Sequence, residues 1–106
     1  MLNDGKYGHI ALYDSATVDR FTTRQPGAEQ RALGWDTPSR LSSAGQHFSE
    51  ESFGHTGYTG TSLWIEPTKD LYVVFLTNRT YSGGSASEIF RVRRSLHEAI
   101  ARAIND

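Results

Sequence analysis

The sequence predicts an α+β fold in which a small antiparallel sheet is packed by one long C-terminal helix. Three observations carry that expectation. Leu71-Tyr72-Val73-Val74-Phe75-Leu76 is β-branched or aromatic almost throughout, the composition of a strand. Residues 60–66 are also strand-like and lead into Glu66-Pro67-Thr68-Lys69-Asp70, where proline is preset for a turn, so 60–66 and 70–78 read as a hairpin. Ile89, Val92, Leu96, Ile100, Ala103 and Ile104 fall on one face at helical spacing, which predicts an amphipathic helix over 85–105, with Ser85 or Ser87 as its cap.

The remaining elements follow in order. Residues 1–30 form a lead-in. Within it Asp14-Ser15 offers an N-cap, and Val18, Phe21 and Thr22 continue at helical spacing, so a short helix is expected at 15–24. Gln25-Pro26-Gly27 ends it, because proline disfavours helical geometry in the residue before it. Residues 31–52 are a polar loop interrupted by Ala32-Leu33-Gly34-Trp35, read as a short extended piece. Trp35 reads as packing that pins the loop, with the rim of a pocket as the other reading. A loop this long in a compact domain is commonly functional.

That loop runs into Ser52-Phe53-Gly54-His55-Thr56-Gly57-Tyr58-Thr59-Gly60-Thr61, with a glycine at every third position from 54. A further strand is expected at 53–57. So much glycine lets a backbone lie close to a substrate or a neighbouring strand, and His55 between two glycines is little shielded. These residues read as one wall of a site, the alternatives being glycines that serve a structural hairpin and a histidine bonded to backbone. His9, His47 and His97 have no ligand partner at metal-binding spacing and read as surface or capping residues, with His97 on the polar side of the last helix.

Composition narrows the function classes. Eleven basic and 12 acidic residues give a net charge of −1, so there is no basic footprint for nucleic acid. There are no cysteines, hence no disulfides and no thiolate metal site. No apolar run approaches the length of a membrane span, and 1–5 lack the features of a signal peptide. The strand at 71–76 is apolar on both faces, as in a sheet centre covered on both sides. The helix over 85–105 covers one side, and that at 15–24 is too small for the other. More strands and a further layer are therefore expected, from a missing N-terminal portion or an oligomer.

His55-Thr56-Gly57 in this context resembles the C-terminal part of the serine β-lactamase-like hydrolases, which include penicillin-binding proteins, class C β-lactamases and related esterases. Phe53-Gly54-His55-Thr56-Gly57-Tyr58-Thr59-Gly60-Thr61, Trp64-Ile65-Glu66-Pro67 and 70–79 are all similar to its His-Thr-Gly branch. The resemblance implies a partial β-lactamase/transpeptidase-like fold, with 1–106 a single unit forming the C-terminal portion of a larger domain. It implies an acyl-serine mechanism on an ester, amide or β-lactam carbonyl, without metal or organic cofactor. It assigns the backbone N–H of Tyr58 to the oxyanion hole, His55 to the catalytic wall, and Thr56, Gly57 and Thr59 to substrate binding. His55 in place of the family's lysine makes a weaker, pH-dependent anion site and suits an ester or peptide better than an anionic β-lactam. A periplasmic or extracellular location is implied only by family habit. The family's Ser-x-x-Lys nucleophile motif and its Tyr-x-Asn or Ser-x-Asn element do not occur in the chain, so it is expected to be inactive alone. A non-catalytic binding module that kept the groove, and a small structural domain, are the competing readings.

Overall fold

The computed structural model describes residues 2–105. Two short strands, β1 (Lys6–Tyr7) and β2 (Ile10–Ala11), pair antiparallel around a turn in which Gly8 has φ +57°. Helix α1 spans Ser15–Thr22, two residues shorter than expected, and the Asp14 carboxylate caps it by accepting from Thr17 N–H at 2.7 Å.

The main sheet has three antiparallel strands in the order β3 (Phe53–Thr56), β4 (Ser62–Glu66) and β5 (Leu71–Phe75). The expected hairpin is therefore present but shorter, as is the expected strand at 53–57. A 3-10 turn over Pro67–Lys69 joins β4 to β5 and closes on Asp70, which adopts φ +48°. Gly54, Trp64 and Val73 lie side by side across the sheet. Alternation then puts Phe53, His55, Leu63, Ile65, Tyr72 and Val74 on the opposite face.

The first face carries the core. Ala44, Phe48, Trp64, Val73 and Ala101 form one buried cluster, with Leu71 and Ile100 against it. The indole N–H of the fully buried Trp64 donates to Ser43 Oγ at 3.0 Å. Gly54 has to be glycine: a Cβ there would lie 2.4 Å from the Trp64 ring and 2.5 Å from the Leu63 carbonyl oxygen.

Helix α2 spans Ala86–Asn105 and starts with a capping box. Ser85 Oγ accepts from Glu88 N–H at 3.2 Å, and the Glu88 carboxylate accepts from Ser85 N–H at 2.9 Å. Its buried face departs from the apolar stripe read in the sequence. The residues buried are Arg93, His97 and Ala101, whereas Val92 and Ile104 are about half exposed. One residue is about 100° of helix rotation, so the helix is turned by that much from its apolar stripe. Carbonyl oxygens and small residues explain the turn: Gly57, Gly60, Thr61 and Ser43 present acceptors that only Arg93 and His97 can use.

One expectation is corrected here. His97 is not a surface or capping residue; it is fully buried, its Nδ1 2.7 Å from Ser43 O and its ring against Phe48 and Trp64. Within this chain the strand at 71–76 is the edge of the sheet, with Val73 in the core and Tyr72 and Val74 exposed. The second face is covered at Phe53 and Ile65, both buried, and open at His55, Tyr72 and Val74.

The 31–52 loop is held to the sheet at both ends. Ala32–Trp35 is a tight turn rather than an extended piece, closed by Ala32 N–H to Trp35 O at 3.0 Å with Gly34 at φ +81°. Asp36 and Gly54 exchange backbone hydrogen bonds of 2.7 and 2.9 Å, which adds a one-residue rung beside β3. Trp35 meets Phe53 edge-on at 5.4 Å between centroids, the packing role expected of it. At the other end the Glu66 carboxylate, fully buried, accepts from Ser49 N–H and Oγ–H, Ser52 Oγ–H, and Thr68 N–H and Oγ–H.

Candidate functional site

Residues 55–61 run from the end of β3, through a glycine turn, to the start of β4. Gly57 N–H donates to Thr61 O at 2.8 Å and Gly60 N–H to Gly57 O at 3.2 Å. Gly60 sits at φ +116°, where a side chain is strained, and a Cβ there would meet Thr77 Oγ1 at 2.2 Å. A Cβ at Gly57 would lie 2.1 Å from Thr61 Oγ1, so the turn closes only around a bare backbone.

His55 is exposed on the face of β3 away from the core. Its Nδ1 lies 2.9 Å from Thr56 O, and its Nε2 3.4 Å from Nη1 of Arg31. The ring thus bridges a backbone carbonyl, which can only accept, and a guanidinium, which can only donate. Arg31 also bridges Asp36 at 2.8 Å. The sequence reading passed over Arg31; its signal was present only in space, because 24 residues separate it from His55.

Thr56 and Gly57 are half-buried, while Tyr58 and Thr59 are exposed. Among the described residues the Tyr58 N–H donates to no protein acceptor. Its carbonyl accepts from Arg79 Nε at 2.9 Å, and the Arg79 guanidinium lies 4.7 Å over its ring. Arg79 N–H reaches Thr59 O at 2.7 Å. From the other side, Arg93 donates to three carbonyls of the turn: Gly57 at 2.7 Å, Gly60 at 2.9 Å and Thr61 at 2.8 Å. The five residues named from the sequence are thus brought into one continuous turn, gripped by two arginines that sequence reasoning did not single out. The sequence carries no mark on Arg93: nothing in its local pattern distinguishes it from Arg91 or Arg94.

Two buried groups, His97 on α2 and Glu66 at the far end of β4, are shifted in ways the geometry explains. Burial holds the His97 imidazole below its ordinary value, the Ser43 carbonyl opposes this, and the Arg93 charge adds to it. Burial raises the Glu66 carboxyl, but the hydrogen bonds from Ser49, Thr68 and Ser52 outweigh it and leave the group below its ordinary value.

Residues 3–98 match the family described as Beta-lactamase. A protein of Salmonella typhi provisionally named as a D-alanyl-D-alanine carboxypeptidase is 40% identical over 85 residues, covering 77% of this chain and 20% of that protein. A protein of Salmonella paratyphi B with the same provisional name matches to the same extent. The chain thus spans about one fifth of the length of these curated relatives. No solved structure matches it. With its three-stranded antiparallel sheet, C-terminal helix and match over nearly all its length, the chain belongs to the β-lactamase family and carries part of that fold.

Proposed function

We propose that residues 55–61 form one wall of the acyl-transfer site of a serine hydrolase whose nucleophile lies outside these 106 residues. One observation carries the reading: the Tyr58 N–H, directly after His55-Thr56-Gly57, donates to no protein acceptor among the described residues, while the Gly57 carbonyl of the same peptide unit is held by Arg93. In the reaction a serine oxygen adds to the substrate carbonyl, and its proton passes to a base. The carbonyl oxygen becomes an anion, accepted by the Tyr58 N–H. Such a donor, about 3 Å from the developing charge, supplies roughly 3–4 kcal/mol. Collapse expels the amine or alcohol with a proton, and water then releases the acid from the serine. Gly57 lets the substrate approach the backbone, while Thr56 and Thr59 offer hydroxyls to it.

The names of the relatives suggest a peptide ending in D-alanyl-D-alanine as substrate. Such a peptide carries a terminal carboxylate. Arg31, which also bridges Asp36, brings a guanidinium beside His55 that can pair with that carboxylate. The exposed apolar side chains of Tyr72, Val74 and Leu76 are where the rest of the domain would pack.

The test is a chimera in which residues 2–105 replace the matching fifth of the Salmonella typhi relative. It should release D-alanine from a D-alanyl-D-alanine peptide or hydrolyse p-nitrophenyl acetate, whereas the 106-residue chain alone should do neither. Turnover by the chain alone that a Ser→Ala change within it abolishes would sink the reading.

A further inference from the structure

Arg93 is 6% exposed, lies on the inner face of α2, and has no carboxylate within ion-pair distance among the described residues. A buried cation without an anion is costly, and hydrogen bonds to its N–H groups offset part of that cost. Three of the five N–H groups of Arg93 are used on the turn: Nε donates to Gly60 O at 2.9 Å, and Nη2 donates to Gly57 O at 2.7 Å and Thr61 O at 2.8 Å. Gly57 O belongs to the same peptide unit as the Tyr58 N–H. That unit is planar and trans, so its N–H points opposite to its carbonyl. With the carbonyl held toward α2 by a guanidinium, the N–H is held away from α2. A cation on the oxygen also draws electron density from the nitrogen, which strengthens the N–H as a donor, as in any chain of polarised hydrogen bonds.

We propose that Arg93 is the positioning residue of the Tyr58 amide, orienting the Gly57–Tyr58 peptide and polarising its N–H for the oxyanion. The assignment rests on the hydrolase reading above for its catalytic consequence, but not for its structural one. Arg93 touches no substrate; it acts through one peptide bond. Arg79, on the far side, holds the next carbonyl and the Tyr58 ring, so the donor is fixed between two clamps.

Two measurements test this. In the 106-residue chain, NMR should show a coupling across the hydrogen bond from Arg93 Nε–H to the Gly60 carbonyl, and a rigid Tyr58 amide. Arg93→Met should drop the Tyr58 order parameter below about 0.6, with Arg93→Lys between the two. Absence of the coupling in the unaltered chain overturns the assignment, even where Arg93→Met fails to fold; so does an unchanged Tyr58 amide in a folded Arg93→Met variant. In the chimera, Arg93→Met should lower kcat about 10- to 100-fold with KM within about twofold, short of the loss from deleting a donor outright, and Arg93→Lys should recover part of it. Equal kcat in the folded Met variant also overturns it. A parent chimera without turnover tells against the hydrolase reading, and the NMR result then decides the place of Arg93 by itself.

Discussion

Glu66 offers the sharpest test of how this small fold is held together. Its carboxylate faces donors only. Oε1 accepts from Ser49 Oγ at 2.7 Å, Thr68 Oγ1 at 2.6 Å and Thr68 N at 3.1 Å; Oε2 accepts from Ser49 N at 2.5 Å and Ser52 Oγ at 2.9 Å. Glu66→Gln keeps the shape but turns one acceptor into an NH2 donor. The serine and threonine hydroxyls can rotate to accept from it. The backbone N–H groups cannot, and each carboxylate oxygen serves one of them, Thr68 on one side and Ser49 on the other. Whichever way the amide is set, one buried N–H meets a donor, at a cost of about 1–3 kcal/mol. The remaining bonds lose their charge assistance, which adds roughly 1 kcal/mol. The expected loss is therefore about 3 kcal/mol. With a urea slope of about 1.5 kcal/mol/M, the midpoint should fall by about 2 M at pH 7.

The sign with pH follows from the same site. The folded carboxyl lies below its ordinary value of 4.5, so its stabilisation is complete above that value and is lost as pH falls through the folded one. The gap between the two proteins should narrow below about pH 4.5. A loss under about 1 kcal/mol at pH 7, or a gap as wide at pH 3.5 as at pH 7, refutes the reasoning.

Other outcomes follow from single features. His97 is held below its ordinary value of 6.5, so native stability should decline as pH drops below about 6.5 while the unfolded chain takes up the proton; His97→Gln should flatten that part of the stability–pH curve, read by thermal melting. Ser85→Ala removes the N-cap of α2 and should cost about 1 kcal/mol in urea denaturation. Gly60→Ala meets both a left-handed backbone and Thr77 Oγ1, and should destabilise by well over 1 kcal/mol, with the shifts in an NMR spectrum centred on 57–61 and 77. In the chimera, Arg31→Gln should raise KM for a D-alanyl-D-alanine peptide about tenfold but leave p-nitrophenyl acetate unaffected; equal effects on both would remove Arg31 from carboxylate binding.

What could be read along the chain was whatever rests on neighbours in sequence. The strand at 71–76 declared itself by side-chain type, the hairpin by Pro67 and the short connection, α1 by Asp14 and α2 by its apolar spacing with Ser85 or Ser87 as cap. The glycines at 54, 57 and 60 marked the turn beside His55 because close approach demands a bare backbone wherever the partner lies. What lay outside sequence reach depended on partners far along the chain. Arg93 is 33 residues from Gly60, and His97 is 54 from Ser43. Local pattern assigned His97 to the wet side of α2 and did not mark Arg93, since hydropathy ranks a residue by its own transfer cost and ignores the acceptors waiting for it. The tertiary structure turned the helix toward those carbonyls, because unpaired buried oxygens cost more than a half-exposed valine and isoleucine save. It likewise set Arg31 against His55 through the rung between Asp36 and Gly54. The sequence by itself determined the family, the two helices, the strands of the main sheet and the turn; only the packed structure decided which arginines hold that turn, because a hydrogen bond needs its partner's position and not merely its own residue type.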